Sequence, residues 1–245
     1  MNTFGIELEL VGLTTRQSAQ VLMRAGIDAH AEDYNHATRP HWKVVHDASL
    51  RTQYQNHATA EVVSPILNVT DFDQLRKVTN ALKEAGARVN GTCGTHVHIG
   101  GFDLSVDKVA RGARYWALVQ HMTDDLVAPS RRNSPRWAKR LNDDDMRMIE
   151  AGHWSSVDRY RSFNVTPIGR IQTIEFRQHQ GTLNASKLWA WADYCQAVTN
   201  YAQQADRLVI PNGLNDLLAM LNETGHLKAE SMTYLQQHAE ELATR

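Results

Sequence analysis

The chain has 245 residues, of which 42% are hydrophobic and 22% are charged, a composition that excludes disordered and fibrous proteins. Its 26 basic and 27 acidic residues leave a net charge of −1, which gives no electrostatic reason to expect a nucleic-acid or membrane partner. With two cysteines, no basic N-terminal segment and no apolar run of about 20 residues, we expect a soluble cytoplasmic protein with free thiols.

The first elements are predicted from hydrophobic period and capping residues. Residues 3–11 alternate apolar with small or acidic side chains, which indicates a half-buried strand. Thr14 and Gln17 have the spacing of a capping box, so a helix is predicted to begin there and to end near Gly26. A segment rich in His, Asn and Thr follows at 28–60.

Strand and helix patterns alternate along the rest of the chain. Further strands are predicted at 42–46, 60–64, 95–100, 158–165 and 170–179. Further helices are predicted from the Thr70–Asp73 cap signature to Gly86, at 105–128, and over most of 184–245. Because several strands alternate apolar and polar residues, we expect one α+β domain over 1–245, with an antiparallel sheet, helices packed on one face and a helical C-terminal third.

Three of the predicted strands carry a pair of polar side chains on one face. The pairs are Glu7 with Glu9, His96 with His98, and Glu175 with Arg177, and Glu61 supplies an acid on a fourth strand. A solvated sheet face accounts for any single pair, but solvated faces usually carry Thr, Lys, Gln and Ser. Together the pairs predict a site dominated by oxygen ligands, which suits Mg²⁺ or Mn²⁺.

The cysteine and histidine positions do not favour other metal sites. Cys93 lies three residues before His96, a spacing that suggests zinc, but in an unbroken strand it would face away from both histidines of that strand. Histidines 30, 36, 41, 46 and 57 follow no metal-binding spacing, and we expect them to be loop residues. The oxygen-rich site remains the preferred interpretation.

Six motifs, in chain order, resemble the amidoligase family, which belongs with the glutamine synthetase and glutamate–cysteine ligase superfamily. They are FGIELE at 4–9, DASL at 47–50 after Trp42, EVVSP at 61–65, GTHVH at 94–98, RSFN at 161–164 and TIEFR at 173–177. The resemblance covers residues 3–200 and implies a glutamine-synthetase-like catalytic domain. It also implies a curved antiparallel sheet that holds ATP and divalent ions on its concave face.

The resemblance also assigns site residues. The metal-ligand positions are matched by Glu7, Glu9, Glu61, His96 and Glu175. Arg177 matches an arginine near the transferred phosphate, and Glu175 is counted with it among the catalytic residues. The substrate side is matched by His98, Arg161 and Asn164.

Residues 131–140 contain five basic side chains and no acid. They fit a solvated loop balanced by the acids at 143–145, or a mobile flap that closes on phosphates. In the second interpretation Trp137 stacks on a base. Together with Arg177, Arg136 and Arg170 are the candidates for contacts with ATP.

Three function classes compete at this point. The first is an ATP-dependent ligase that joins a small-molecule or peptide carboxylate to an amine through an acyl phosphate. The second is a phosphotransferase resembling guanidino kinases, and the third is a non-catalytic binding module. The chain has no Gly-x-x-x-x-Gly-Lys-Ser/Thr stretch, so a P-loop is excluded.

Overall fold

The computed structural model describes residues 3–53 and 58–244, which divide into two compact units. The N-terminal unit contains residues 3–97 and 180–188, and the C-terminal unit contains residues 98–179 and 189–244. His57 lies outside the described residues. Within the described ranges, no helix is both long enough and apolar enough to cross a bilayer.

The described residues form seven strands and eight α-helices, which confirms the expected mixture of helices and strands. The strands are β1 (Thr3–Val11), β2 (Ala29–Ala31), β3 (Trp42–Val45), β4 (Thr59–Val63), β5 (Gly94–Gly100), β6 (Phe163–Asn164) and β7 (Ile174–Gln180). The helices are α1 (Thr15–Arg24), α2 (Phe72–Glu84), α3 (Val106–Thr123), α4 (Asp143–Glu150), α5 (Ile168–Ile171), α6 (Ala185–Gln204), α7 (Leu214–Glu223) and α8 (Ala229–Ala243).

The strands of the N-terminal unit have the order β2-β3-β4-β1-β5, and residues 94–97 of β5 belong to this unit. β4 is antiparallel to both β1 and β3, but β2 is parallel to β3. The expectation of a purely antiparallel sheet is therefore wrong at this edge. The reason is β2 itself, which has three residues and no detectable period, and which the sequence pattern did not predict.

Of the two helix N-caps predicted in this unit, one is confirmed and one is wrong. The Thr14 hydroxyl accepts a hydrogen bond from the backbone N–H of Gln17, and the Gln17 side chain accepts one from Thr14, so α1 begins with the predicted capping box. The cap expected from Thr70 and Asp73 does not form. Thr70 instead donates to the Asn68 side chain at 2.7 Å, and α2 begins at Phe72.

The core of the N-terminal unit follows from the period of β1. Ile6, Leu8 and Leu10 are at most 1% exposed, and α1 packs against β2, β3, β4 and α2. Each buried aliphatic side chain contributes about 1.5–3 kcal/mol, so this alternation fixes which face of β1 lies in the core. The intervening Glu7 and Glu9 are consequently placed on the opposite face.

In the C-terminal unit, β6 pairs antiparallel with β7, with Asn164 opposite Glu175 and Phe163 opposite Phe176. Three elements are shorter than predicted. The strand expected over 170–179 begins at Ile174, because residues 168–171 form α5. The strand expected over 158–165 is reduced to two residues, and the helix expected over 105–128 ends at Thr123 and continues as a 3₁₀ turn over Asp124–Leu126.

Aromatic side chains form the core next to this strand pair. The ring of Trp116 lies 4.9 Å from that of Phe176, and the rings of Phe163 and Phe176 are 5.3 Å apart, both in edge-to-face arrangements. The Trp116 indole also donates a hydrogen bond to the Ser162 hydroxyl at 2.9 Å. The core thus holds the β6–β7 pair through alternate residues and leaves Asn164 and Glu175 on the other face.

The close approach of Gly181 to Cys93 gives a test of packing in the N-terminal unit. Gly181 donates its N–H to the Cys93 carbonyl at 2.8 Å, and a Cβ added at Gly181 would lie 2.6 Å from the Cβ of Cys93. We expect Gly181→Ala to lower the free energy of unfolding by about 1–3 kcal/mol, measured by denaturant titration. Gly91→Ala, whose added Cβ meets nothing within 4 Å, is the control. Equal stability of the two variants would contradict the close contact.

Candidate active site

Carboxylates gather on the polar face of the sheet in the N-terminal unit. The register places Glu9 directly opposite Glu61, and Glu7 opposite Val63. Glu7, Glu61 and His96 each offer one ligand atom, and these atoms lie within 4.8 Å of one another. The structure thus brings together predicted metal ligands from β1, β4 and β5.

His96 links two of these carboxylates. Its Nδ1 is 2.9 Å from a carboxylate oxygen of Glu7, and its Nε2 is 3.6 Å from one of Glu9. The other oxygen of Glu9 accepts a hydrogen bond from the backbone N–H of Gly94 at 2.6 Å. Glu9 and His96 are 7% and 5% exposed, so both side chains are oriented before any ligand binds.

Burial and like charge together determine the electrostatics of this cluster. Burial raises the pKa of Glu61 well above its ordinary value, and the charges of Glu7, Glu9 and Asp47 raise it further. A carboxyl group in this situation gains from a proton or a cation. Three carboxylates and one imidazole form an oxygen-rich donor set, which suits Mg²⁺ or Mn²⁺ better than a structural zinc.

Cys93 takes no part in this cluster. It lies in an apolar group with Val11 and Leu50 and is fully buried. The residue precedes β5, so its side chain belongs to the packing between strand and loop. The preference for an oxygen-rich site over a zinc site agrees with this placement.

Lys43, which the sequence interpretation did not select, lies on the same sheet face as the carboxylates. It is 4% exposed and pairs in register with Val63, the residue opposite Glu7. Its ammonium group donates to the backbone carbonyls of Asn35 at 2.8 Å and Ala37 at 3.0 Å. The sequence does indicate that Lys43 is unusual, because this charged residue interrupts the otherwise apolar residues of β3.

Two opposing effects act on the pKa of Lys43. Burial lowers the pKa of its ammonium group, while the charges of Glu32, Glu61 and Glu7 act in the opposite direction. Lys43 therefore connects two parts of the unit. It donates hydrogen bonds to the loop that follows β2, and its charge interacts with the charges of the carboxylate cluster.

A second polar cluster lies in the C-terminal unit and centres on Glu175. One carboxylate oxygen accepts a hydrogen bond from the Asn164 amide at 2.6 Å, and the other pairs with the guanidinium of Arg177. The Nε2 of His98 is 3.9 Å from the second oxygen. The structure therefore brings four of the predicted site residues together.

Two residues outside the predicted set complete the surroundings of Glu175 and Arg177. The Nδ1 of His98 lies 3.0 Å from the Thr173 hydroxyl, and the guanidinium of Arg177 lies 5.7 Å from the centre of the Tyr160 ring. Thr173 begins the TIEFR motif and was a visible candidate. The sequence around Tyr160 does not indicate its position, because its approach to Arg177 depends on tertiary structure.

Three other predicted residues make different contacts. Arg161 forms an ion pair with Asp145 at 2.8 Å. The guanidinium of Arg136 lies 4.4 Å from the centre of the Trp137 ring, and Arg170 is exposed on α5. Their proposed contacts with substrate or ATP stay predictions.

Ion pairs hold the C-terminal end of the basic segment 131–140. Lys139 pairs with Asp158 at 2.7 Å and Arg140 pairs with Asp124. The backbone of Lys139 also bonds to that of Tyr160 at 2.8 Å. Acids outside 143–145 therefore balance these two side chains, which favours an ordered loop over a flap that is mobile along its whole length.

Comparisons with known proteins identify one family and remote structural similarity. A family model described as "Putative amidoligase enzyme" matches residues 1–199. A search of curated proteins found no match. Among solved structures, the chain is similar to a bifunctional glutathione synthetase from Pasteurella multocida, with 12% identity and a TM-score of 0.48. The match covers 99% of this chain and 47% of that protein, so the chain spans about half its length.

The two clusters differ in how their carboxylates are compensated, and stability measurements can detect the difference. In metal-free protein, Glu61→Gln removes repulsion and should raise the free energy of unfolding. Glu175→Gln removes the charge that pairs with buried Arg177 and should lower it by about 3 kcal/mol or more. Denaturant titration in EDTA measures both variants. A loss of stability in both would mean that Glu61 is also held by a compensating cation.

Proposed function

We propose that this chain, which belongs to the amidoligase family, is an ATP- and Mg²⁺-dependent carboxylate–amine ligase acting through an acyl phosphate. The family match agrees with the resemblance drawn from the six motifs. The observation that carries the proposal is the oxygen-rich group of Glu7, Glu61 and His96, whose ligand atoms lie within 4.8 Å of one another.

The chemistry of this donor set supports a role in binding divalent metal. Glu7, Glu9, Glu61 and His96 would hold Mg²⁺, which when bound supplies positive charge for phosphate oxygens. Gly94 orients Glu9 through its N–H, and His96 orients Glu7. The raised pKa of Glu61 supports the same role, because a carboxyl group crowded by like charges gains most from a cation.

Arg177 is proposed to act on the phosphate during transfer. Its planar guanidinium matches phosphate oxygens in a way that a lysine ammonium does not. Glu175 pairs with this guanidinium, and Asn164 donates to Glu175, so the side chain of Arg177 is positioned from within its own unit. Glu175 is further proposed as a metal ligand, as the family resemblance implies.

His98, Arg161 and Asn164 are proposed to line the substrate side. Of these, His98 and Asn164 lie beside Glu175, with the distances given above. The proposed substrates are a small-molecule or peptide carboxylate and an amine. Forming an amide from them requires activation, and phosphoryl transfer depends mainly on positioning and charge neutralisation.

We expect nucleotide binding to require divalent metal, because the carboxylate cluster would otherwise repel a triphosphate. Calorimetry with a non-hydrolysable ATP analogue should show at least about tenfold weaker binding in EDTA than in Mg²⁺. In Mg²⁺, Glu61→Gln should show the same weakening. Glu84→Gln, on an exposed position of α2, is the matched control and should bind like wild type. Equal affinity with and without Mg²⁺ would contradict the proposed metal site.

The reaction path has its own test. If the carboxylate is activated as an acyl phosphate, one of its oxygens leaves with the phosphate when the amine attacks. Turnover of ¹⁸O-labelled carboxylates in a substrate panel should therefore place one label in inorganic phosphate and release ADP. A phosphorylated amine without label transfer would instead indicate the guanidino-kinase type of reaction. AMP and pyrophosphate would indicate an adenylate and would contradict the acyl phosphate.

A further inference from the structure

Two histidines meet at the edge of the N-terminal unit, in the segment where no metal spacing was visible. His30 lies on β2 and His41 immediately precedes β3, and their ring centres are 4.3 Å apart. The parallel register pairs His30 with Lys43, so His41, two residues earlier, belongs to the same face of β3. The parallel pairing thus brings together side chains that are eleven residues apart in sequence.

A carboxylate completes the group. Asp28, His30 and His41 each offer one ligand atom, and these atoms lie within 4.8 Å of one another. One oxygen of Asp28 is 2.8 Å from Nε2 of His30. The side chains of Asp28 and His30 are 74% and 55% exposed, so they have room to rotate by the small amount that coordination at about 2.0–2.2 Å requires.

Glu32 orients the third member of the group. One of its oxygens lies 2.9 Å from Nε2 of His41, and its carboxylate also pairs with the guanidinium of Arg39 at 2.9 Å. A metal-binding histidine is commonly held in this way by a carboxylate that is not itself a ligand.

We propose that Asp28, His30 and His41 form a binding site for a divalent transition metal, with Zn²⁺ as the first candidate. Two imidazoles and one carboxylate suit zinc, copper and nickel, whereas Mg²⁺ prefers oxygen donors. The site is separate from the Glu7, Glu61 and His96 group in its residues and in its metal preference. It does not depend on the proposed ligase activity.

The position of the site gives it a structural consequence. β2 has only three residues, and β3 is its partner in the sheet. A metal held by Asp28 and His30 on one side and His41 on the other would join the two strands at a point where few backbone hydrogen bonds do so. Metal binding should therefore raise the melting temperature of the whole chain by several degrees.

The test is Zn²⁺ calorimetry on the full chain in excess Mg²⁺, so that the oxygen-rich cluster is occupied. Wild type should bind one Zn²⁺, and His30→Ala, His41→Ala and Asp28→Asn should each bind it at least about tenfold more weakly. His36→Ala is the matched control from the same loop and should bind Zn²⁺ like wild type. The rise in melting temperature with Zn²⁺ should be absent from the three site variants.

Two results would overturn the proposal. Equal Zn²⁺ affinity in wild type and in all three site variants would mean that these residues are not ligands. Loss of Zn²⁺ binding in Glu61→Gln, with the site variants unchanged, would place the metal at the carboxylate cluster instead. Glu61→Gln should otherwise keep its Zn²⁺ affinity while its Mg²⁺-dependent nucleotide binding falls, so the two sites can be tested independently.

Discussion

Burial of the apolar face of β1 is the constraint on which the carboxylate cluster of the N-terminal unit depends. The apolar half of the β1 alternation is fully buried, and this burial forces Glu7 and Glu9 onto the other face, where Glu61 stands opposite Glu9. The surrounding groups partly compensate the charge, through the Gly94 N–H and the His96 imidazole. The remaining like charge is the reason for proposing that the cluster binds a cation.

In the cluster around Glu175, by contrast, neighbouring groups compensate the carboxylate charge. There a single carboxylate is already matched by the guanidinium of Arg177 and by the amide of Asn164, and all three residues are at most 8% exposed. A buried pair of opposite charge holds its own geometry, whereas a group of acids crowded by like charge gains from a proton or a cation. Glu61 and Glu175 carry the same carboxyl group, but their charges are compensated to different extents because their immediate neighbours differ.

Local pattern was sufficient for the elements whose period is strong. The alternation of β1, the Thr14 capping box and the helical C-terminal third were all visible in the sequence, as were the carboxylates of the candidate site. Pattern failed where partners are distant in sequence. β2 is too short to show a period, the burial of Lys43 depends on carbonyls of a loop, and the meeting of His30 with His41 depends on a parallel pairing. The spacing of these two histidines matches no known metal pattern, because their meeting depends on the register of β2 against β3.

The membership of residues 180–188 in the N-terminal unit has a consequence for biosynthesis. This stretch includes Gly181, whose N–H bonds to the Cys93 carbonyl, and it follows more than eighty residues that belong to the other unit. A ribosome that has made only the first hundred residues has therefore not yet supplied every part of the N-terminal unit. Such late closure across a long intervening segment slows folding, since the chain entropy of the loop must be lost before the contact is made. Until residues 180–188 emerge, the nascent chain cannot form the hydrogen bond from Gly181 to the Cys93 carbonyl.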